Sequence, residues 1–388
     1  VSVAETRTVH ITGLFPELAG TGGVQEASRL TVAALDDIAR KRGWSLDFTG
    51  LNDPLGPQTL GLDQKEVPFD GFARRKVSFI RSAMKRARAA MQIDTHIIFA
   101  GHPNLAPIAA WMQKTSSHAR AIVVAHGVEV WEPLPVVRRA TLRSAFRVVA
   151  PSSYTIQKLI EVQRVPTERT RKLAWPISEA FLRFADRPDE LRLPPGLREG
   201  QIVLSVGRAA ANERYKGTDN LIRSIARLRG NFPSLRFVNV GGGDDLPRLQ
   251  RLANELGVSD RVHLLQGISR AQVAGCYARA DVFALPSTGE GFGLVFLEAM
   301  AFGKPVVAAA AAGALDIVRD EVNGLLVAPD DVTALTGALG RLLADKALRD
   351  ALGARGAAMV RDTYRFESFR DELERLLDEC VMDSRLRK

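Results

Sequence analysis

An α/β protein of two domains, each a parallel sheet covered by helices on both faces, is what the sequence predicts. Three observations carry this. Short β-rich runs alternate with helix-periodic segments through both halves of the chain, which argues for crossover-connected parallel strands. Several of the strand-like runs, such as IVLSV and VFAL, are apolar throughout, as strands buried on both faces are. And FADRPDELRLPPGLREG (184–200), rich in proline and charge, divides the two alternating halves as a linker would.

In the first half, TVHITGL (8–14) reads as a strand, followed by a glycine-rich loop and a helix over 24–43. WSLDFTG (44–50) is a second strand, and THIIFAG (95–101), AIVVAH (121–126) and RVVAPS (147–152) follow the same habit. In the second half QIVLSVGR (201–208), LRFVNVGGG (235–243), RVHLLQG (261–267), ADVFALPS (280–287) and KPVVAAA (304–310) are strands, with amphipathic helices between them. The division expected is an N-terminal Rossmann-like domain over 1–180, a linker over 181–200 and a second Rossmann-like domain over 201–365. In such sheets ligands sit beyond the carboxyl ends of the strands, so two facing domains would line a cleft with the loops that follow each strand.

The 388 residues are 46% hydrophobic and 25% charged, ordinary for a globular protein and enough for two cores. No apolar run approaches the ~20 residues a membrane-spanning helix needs. The opening VSVAETRTVHITG lacks a charged segment followed by an apolar one, so a secretory signal is not expected. The two cysteines, Cys276 and Cys380, suggest neither a disulfide framework nor a zinc site, and Cys276 is expected as a small core residue. The easy reading is a reducing cytoplasm. No metal-ligand spacing such as H-E-x-x-H occurs, nor any D-x-D, so no metal is expected.

The stretch STGEGFGLVFLEAM (287–300) carries the most chemistry. It is a strand end, a glycine loop and the start of a helix. Gly289, Gly291 and Gly293 let a ligand approach the backbone, and the free N–H groups of Phe292, Gly293, Leu294 and Val295 form a phosphate seat. Glu298 shares a face with that loop, and its carboxylate suits the paired donors of a ribose diol; Glu290 is placed to accept from sugar hydroxyls. The alternative makes Glu298 a dipole partner of its helix and Glu290 a solvated loop acid. Arg208 ends one strand, and Lys216 precedes a helix expected to be capped around Thr218–Asp219. Together these cations would offset a diphosphate's charge; singly, each reads as a surface charge. In the first half, ELAGTGGVQEA (17–27) is another glycine junction. It lacks the spacing of a dinucleotide fingerprint and stands open between a binding loop and a plain turn. His126, at a strand end, is either a cleft residue or a structural one. GGGDD (241–245) lies on a third carboxyl-end turn, where its acids either face a nucleotide or start a helix.

The succession VGR…ERYKG, VGGG, EGFGLVFLEAM, GKPVVA and NGLLV resembles the donor-binding domain of glycosyltransferase family 4, the retaining enzymes of GT-B fold. TGGVQEASRL and HGVEVW are similar to the family's acceptor-side loop and histidine, so the likeness covers nearly the whole chain. The resemblance implies that Arg208 and Lys216 hold the donor diphosphate, Glu290 binds the transferred sugar, and Phe292 and Gly293 offer it backbone contacts. It implies further that Glu298 grips the ribose, that Gly22 and Gly23 border the diphosphate and acceptor, and that His126 meets the donor sugar. A GDP- or UDP-linked sugar would be the donor, mannose being favoured by resemblance alone, with a glycan or lipid-linked acceptor and no separate cofactor. The last helix, within 366–388, would cross back to the first domain. RKLAWPIS (171–178) and AAGALD (311–316) depart from the family's pattern, and nothing is carried over at either.

The formal charge is +9, which raises a nucleic-acid-binding protein as a second reading. No nucleic-acid motif occurs, and none is expected as partner. A third reading, a GT-B epimerase or phosphorylase, explains the donor loop no better. The charge concentrates in FARRKVSFIRSAMKRARAAM (72–91), with seven basic residues and no acid. On a helix, Val77, Ile80, Met84, Ala87 and Met91 form one stripe and Arg81, Lys85 and Arg88 another. That pattern fits a segment lying on anionic lipid, hence a peripheral position on the inner face of the plasma membrane, and equally a solvated helix covering the first core.

Overall fold

In the computed structural model, residues 8–62, 65–194, 197 and 199–386 are described. The chain divides into two compact units: one runs to Pro176 and takes in Phe366 onward, the other is Ile177–Arg365. The first holds β1 (Val9–Phe15), β2 (Ser45–Gly50), β3 (Gly56–Leu62), β4 (Lys65–Gly71), β5 (Thr95–Ala100), β6 (Ala119–Val124), β7 (Arg147–Ala150) and β8 (Thr170–Lys172) in the order β3-β4-β2-β1-β5-β6-β7-β8. All neighbours are parallel except β3 and β4. The second unit holds β9 (Ile202–Val206), β10 (Arg236–Val240), β11 (Val262–Leu265), β12 (Val282–Leu285), β13 (Val306–Ala309) and β14 (Gly324–Val327) in the order β11-β10-β9-β12-β13-β14. Every pair there is parallel.

The strands lie where apolar residues run without alternation because both faces of each sheet are covered. In the second unit Val203, Phe237, Val282 and Val307 pack against Leu221, Ile225, Leu335 and Leu339 from the helices Thr218–Leu228 and Val332–Ala344. In the first, Ile98, Val123 and Val148 pack under Phe79, Ala109, Met112 and Leu142. Both orders reverse once, between β1 and β5 and between β9 and β12. The loops leaving the carboxyl ends of those pairs turn to opposite sides, which opens a crevice in each unit.

Four strands escape the sequence reading. β3 and β4 contain glycine, proline and exposed charge and form an edge hairpin, while β8 and β14 have only three and four residues. The linker expected over 181–200 is not where the units divide. Glu179–Asp186 is a helix of the second unit, with Phe181 buried against Tyr277 and Phe302; proline and charge there mark its end. The helix Phe366–Leu386 lies in the first unit, tied by Glu374 to Lys41 and Arg42, by Asp383 to Arg120 and by Glu379 to Arg147. Cys276 and Cys380 are both buried, and burial pushes the Cys276 thiol up to about 11.

The basic segment forms the helix Lys76–Ala89, which covers the core with Phe79, Ala83 and Ala87 rather than with the anticipated stripe. Of that stripe only Ala87 is buried; Val77 (62%), Ile80 (42%) and Met91 (54%) stand in solvent beside Arg81, Lys85 and Arg88. The two readings of this helix are therefore not exclusive. One face covers the core, and a second apolar strip stays outside.

His96 on β5 is buried and hydrogen-bonded through Nε2 to Thr12 Oγ1 at 3.0 Å. Burial, aided by the charge on His10, lowers its pKa to about 4. Between an unfolded value of about 6.5 and that value the unfolded chain binds a proton the folded chain does not, so stability falls as pH drops through this window. Urea unfolding followed from pH ~7 to pH ~4.5 should show this slope reduced in His96→Gln; an unchanged slope would exclude His96 as a source.

Candidate active site

In the second unit the crevice lies between the loops after β9 and β12. The β9 loop begins at Gly207 and closes on the β10 loop so tightly that a Cβ at Gly241 would stand 2.1 Å from the Gly207 carbonyl oxygen. Arg208 and Lys216 are both on this loop, joined by a residue the sequence reading passed over. Glu213 is buried at 9% exposure and ion-paired to the Arg208 guanidinium, while its Oε2 lies 2.9 Å from Lys216 Nζ. The Lys216 contact is one of charge, because that oxygen takes no aligned hydrogen bond. Lys216 is itself largely buried (16%), whereas Arg208 is 71% exposed.

The helix after Lys216 departs from expectation. Thr218–Leu228 starts behind Gly217 in a left-handed conformation (φ 73°), with no side-chain cap. The position also leaves no room for a side chain, because a Cβ would lie 2.8 Å from the carbonyl oxygen of Pro286 on the β12 loop. Asp219 instead accepts from Arg248 at 2.7 Å. Arg248 also binds Asp245, which pairs with Arg214, and Asp244 accepts from the Ala211 N–H at 2.8 Å. The acids of GGGDD thus fasten the β10 loop to the β9 loop, and Asp245 at the start of Leu246–Glu255 makes no side-chain cap.

On the β12 loop, Gly289 packs on the ring of Tyr215, whose carbonyl oxygen accepts from the Thr288 N–H at 2.9 Å. Glu290 follows, half-buried. Among the described residues its carboxylate makes no hydrogen bond or ion pair. Burial raises its pKa, Glu213 adds to the rise, and Lys216 opposes it. Glu290, Lys216, Glu213 and Arg208 are thus one electrostatic cluster; beside it, burial pushes the Tyr215 hydroxyl up to about 12, with Glu213 and Glu290 adding to the rise and Arg208 opposing it. Phe292 is buried against Tyr364, and Gly293, left-handed at φ 101°, sets up the helix Leu294–Ala301. Gly313 donates its N–H to the Glu290 carbonyl oxygen at 2.9 Å, so the segment 311–316 braces the loop from behind.

Glu298, on that helix, has a protein partner. Its Oε2 accepts from the hydroxyl of Tyr277 at 2.8 Å, and the Tyr277 ring is fully buried among Phe181, Phe283 and Phe302. Burial and the neighbouring Glu298 both raise the Tyr277 pKa. The carboxylate is therefore oriented from within the core. Nothing in the residue pattern signals Tyr277, twenty-one positions earlier in the sequence.

In the first unit the crevice lies between β1 and β5. The β1 loop, Pro16–Gly22, is pinned at two points the sequence did not reveal. Asp53, buried at 1% exposure, accepts from the Leu18 and Ala19 N–H groups at 2.8 Å each, and Arg29 donates to the carbonyl oxygens of Leu18 and Gly20. Gly22 (φ 135°) opens the helix Gly23–Arg42, and no atom lies within 4 Å of where a Gly23 Cβ would stand. Past β6, His126 donates Nε2–H to the Gly101 carbonyl oxygen at 2.8 Å, and its ring stacks between His102 and Trp175. Burial lowers the His102 pKa to about 4, helped by His126 and Arg138; neutral, its Nδ1 accepts from the Asn104 N–H. Gly22, Gly23 and His126 therefore border the crevice of this unit.

Among the described residues no group of His, Cys, Asp and Glu is arranged to hold a metal ion. No described helix is long and apolar enough to cross a membrane.

Residues 190–359 match the family model for glycosyl transferases group 1. A GDP-mannose-dependent alpha-(1-6)-phosphatidylinositol monomannoside mannosyltransferase from Mycolicibacterium smegmatis is 34% identical over 314 residues, 77% of this chain and 80% of the relative. A D-inositol 3-phosphate glycosyltransferase from Mycobacterium marinum is 31% identical over 333 residues, 81% and 68% of the two chains. Among solved structures, a glycosyltransferase from Rickettsia africae superposes with a TM-score of 0.76 at 16% identity, covering 97% of this chain and 99% of that one. Anabaena HepE in complex with UDP gives 0.72 at 18% identity, with 96% and 100% covered.

Tyr277→Phe removes a buried donor and leaves Glu298 Oε2 short of one bond. It should lower stability by about 1–2 kcal/mol, read as a lower urea midpoint at unchanged slope. An unshifted midpoint would show that the hydroxyl does not support the carboxylate.

Proposed function

The chain belongs to the glycosyl transferases group 1 family, with the GT-B fold, and from that premise we propose that it moves mannose from GDP-mannose to an inositol-containing lipid acceptor at a membrane surface. It is a glycosyltransferase that takes a hexose from a nucleotide sugar. The observation that carries the site assignment is Glu290: a half-buried carboxylate without a hydrogen bond among the described residues, next to Lys216, at the carboxyl-end crevice of β9 and β12. Sugar hydroxyls are the donors such a carboxylate lacks, and a diphosphate is the anion that Arg208 and Lys216 would take up.

In this reading the diphosphate lies over Lys216, Arg208 and the N–H groups of Phe292, Gly293 and Leu294. Glu298, held by Tyr277, grips the ribose, and Glu290 the hexose. Gly22, Gly23 and His126, in the first unit, keep the roles that the family resemblance implies. The two cations stabilise charge as it builds on the leaving phosphate, the role a metal ion fills elsewhere. Departure of that phosphate from an oxocarbenium-like centre leaves the same face open to the acceptor hydroxyl. The phosphate oxygen takes up the hydroxyl's proton, and configuration is retained. The guanine base and mannose rest on the Mycolicibacterium smegmatis relative, whose name specifies GDP-mannose.

The lipid side of the proposal rests on the first unit. Three neighbouring helices, Lys76–Ala89, Ala106–Gln113 and Val136–Ser144, expose Val77, Ile80, Trp111, Val136 and Val137. Arg81, Met84, Lys85 and Arg88 line a groove on the first of them. Apolar side chains beside Arg81, Lys85 and Arg88, which make no ion pair among the described residues, suit the headgroup region of an anionic bilayer.

Thermal melts with GDP, UDP, ADP and their sugars, without added metal, test the donor. At a hundredfold excess over Kd the right ligand adds about 2.7 kcal/mol and raises Tm by several degrees. GDP and GDP-mannose should do so. Glu298→Ala should weaken GDP binding roughly tenfold, while Glu290→Ala should keep it and slow sugar transfer by roughly a hundredfold. No shift with any nucleotide would overturn the donor assignment.

Sedimentation with vesicles tests the surface. The protein should pellet with phosphatidylinositol-containing anionic vesicles at low salt and be released as the Debye length shortens toward about 3 Å near 1 M. Indifference to vesicle charge would remove the membrane from the proposal.

A further inference from the structure

Glu213 has no role in the donor assignment, and its position is costly. A carboxylate at 9% exposure is set between the two cations that the reading gives to the diphosphate, with one oxygen to the Arg208 guanidinium and the other 2.9 Å from Lys216 Nζ. An acid beside an anion site opposes the ligand by Coulomb repulsion, so its placement calls for a compensating function. Its backbone is irregular as well: Glu213 interrupts the 3-10 segment Ala211–Lys216 with φ −117° and ψ 27°. The surrounding loop is fastened to the β10 loop through Ala211 to Asp244 and Arg214 to Asp245. The carboxylate is thereby held under the two cations rather than swung to solvent.

Resting on the donor-site reading, we propose that Glu213 is a positioning residue that acts as an internal stand-in for the donor phosphates. It holds Lys216 and Arg208 in place in the empty site, and it gives up Arg208 when the diphosphate enters. The two cations differ in the way this requires. Lys216, 16% exposed, has little freedom and keeps Glu213 as its counter-ion; Arg208, 71% exposed, is free to turn from the carboxylate to a phosphate oxygen. The triad's charge in the empty site is +1 rather than +2. A diphosphate is then bound less tightly in its resting form, and the nucleoside diphosphate left after transfer is released more readily. Binding energy is held back from ground state and product, which favours turnover.

The test compares Glu213→Gln and Glu213→Asp with the unaltered protein, using GDP and GMP as probes in titration calorimetry at low and raised salt. Glu213→Gln removes one negative charge beside the phosphates. It should tighten GDP binding roughly tenfold at low salt, with the gain shrinking at high salt and GMP changing much less. Glu213→Asp, which keeps the charge, should stay near the unaltered protein. A merely structural role would weaken GDP and GMP alike, and that result, or an unchanged GDP affinity in Glu213→Gln, overturns the proposal. Should Glu213→Gln fail to fold, Glu213→Asp and Arg208→Ala decide. The inference then requires GDP affinity kept by the first and lost by the second, and fails on any other pair of results. If the unaltered protein binds no nucleoside diphosphate, it is the donor assignment that fails; if it binds GDP and only the Glu213 result goes the other way, this inference alone does.

Discussion

A parallel sheet cannot return its chain through tight turns; each strand needs a crossover, and where the order of strands reverses, neighbouring carboxyl-end loops diverge. Both units of this protein reverse once, and the residues assigned to chemistry stand around those two points. Arg208, Glu213 and Lys216 follow β9, and Glu290 to Leu294 follow β12. In the first unit the glycine loop follows β1, and Gly101, which accepts from His126, follows β5. The placement is topological before it is chemical. The apolar strands make the sheets, the crossovers set the order, and the crevice exists whatever its loops contain.

The contents of the loops show how such a crevice is kept rigid. None of the loops that carry the assigned side chains is held by itself alone. Glu298 is turned by Tyr277 from inside the core, the β12 loop is braced by Gly313, and the β9 loop is fastened through Asp219, Asp244 and Asp245. The β1 loop hangs on Asp53 and Arg29. A ligand site needs this support because a misplacement of about 1 Å in a group that must meet a transition state costs far more than the same shift in the core of a helix.

Which of these features the sequence discloses follows from how far apart their partners lie. The glycine-rich junctions and the acids at 290 and 298 are local patterns, visible as a strand end, a turn and a helix start. The cations at 208 and 216 stand out by their place next to strand and helix ends. Asp53 meets the β1 loop from thirty-five positions away, Tyr277 meets Glu298 from a different helix, and nothing in their own neighbourhoods marks them. Glu213 was within reach, an acid inside NERYKG between two cations; charge alternation in a loop reads as solvation until burial is known. The cap expected at Thr218–Asp219 fails for a related reason. Asp219 has the right residue type for a cap, but the helix begins at Thr218 behind Gly217, which puts Asp219 inside the first turn, where it accepts from Arg248. The edge hairpin β3–β4 was hidden by the glycine, proline and charge that edge strands carry to discourage further pairing.

The charge balance separates the two units. In the second, these cations by the crevice have acidic partners: Arg208 and Lys216 share Glu213, Arg214 pairs with Asp245, and Arg248 with Asp219 and Asp245. In the helix Lys76–Ala89 only Arg86 is so answered, by Asp47 and Asp70; Arg81, Lys85 and Arg88 make no ion pair among the described residues. Repulsion among like charges three and four positions apart destabilises a helix, and the apolar side chains exposed between them add nothing to the core. The bilayer contact proposed above would answer both, being anionic at its face and apolar beneath, as a nucleic-acid backbone is not. The same excess of +9 that first raised nucleic acid as a partner thus argues against it once its location and its apolar neighbours are known.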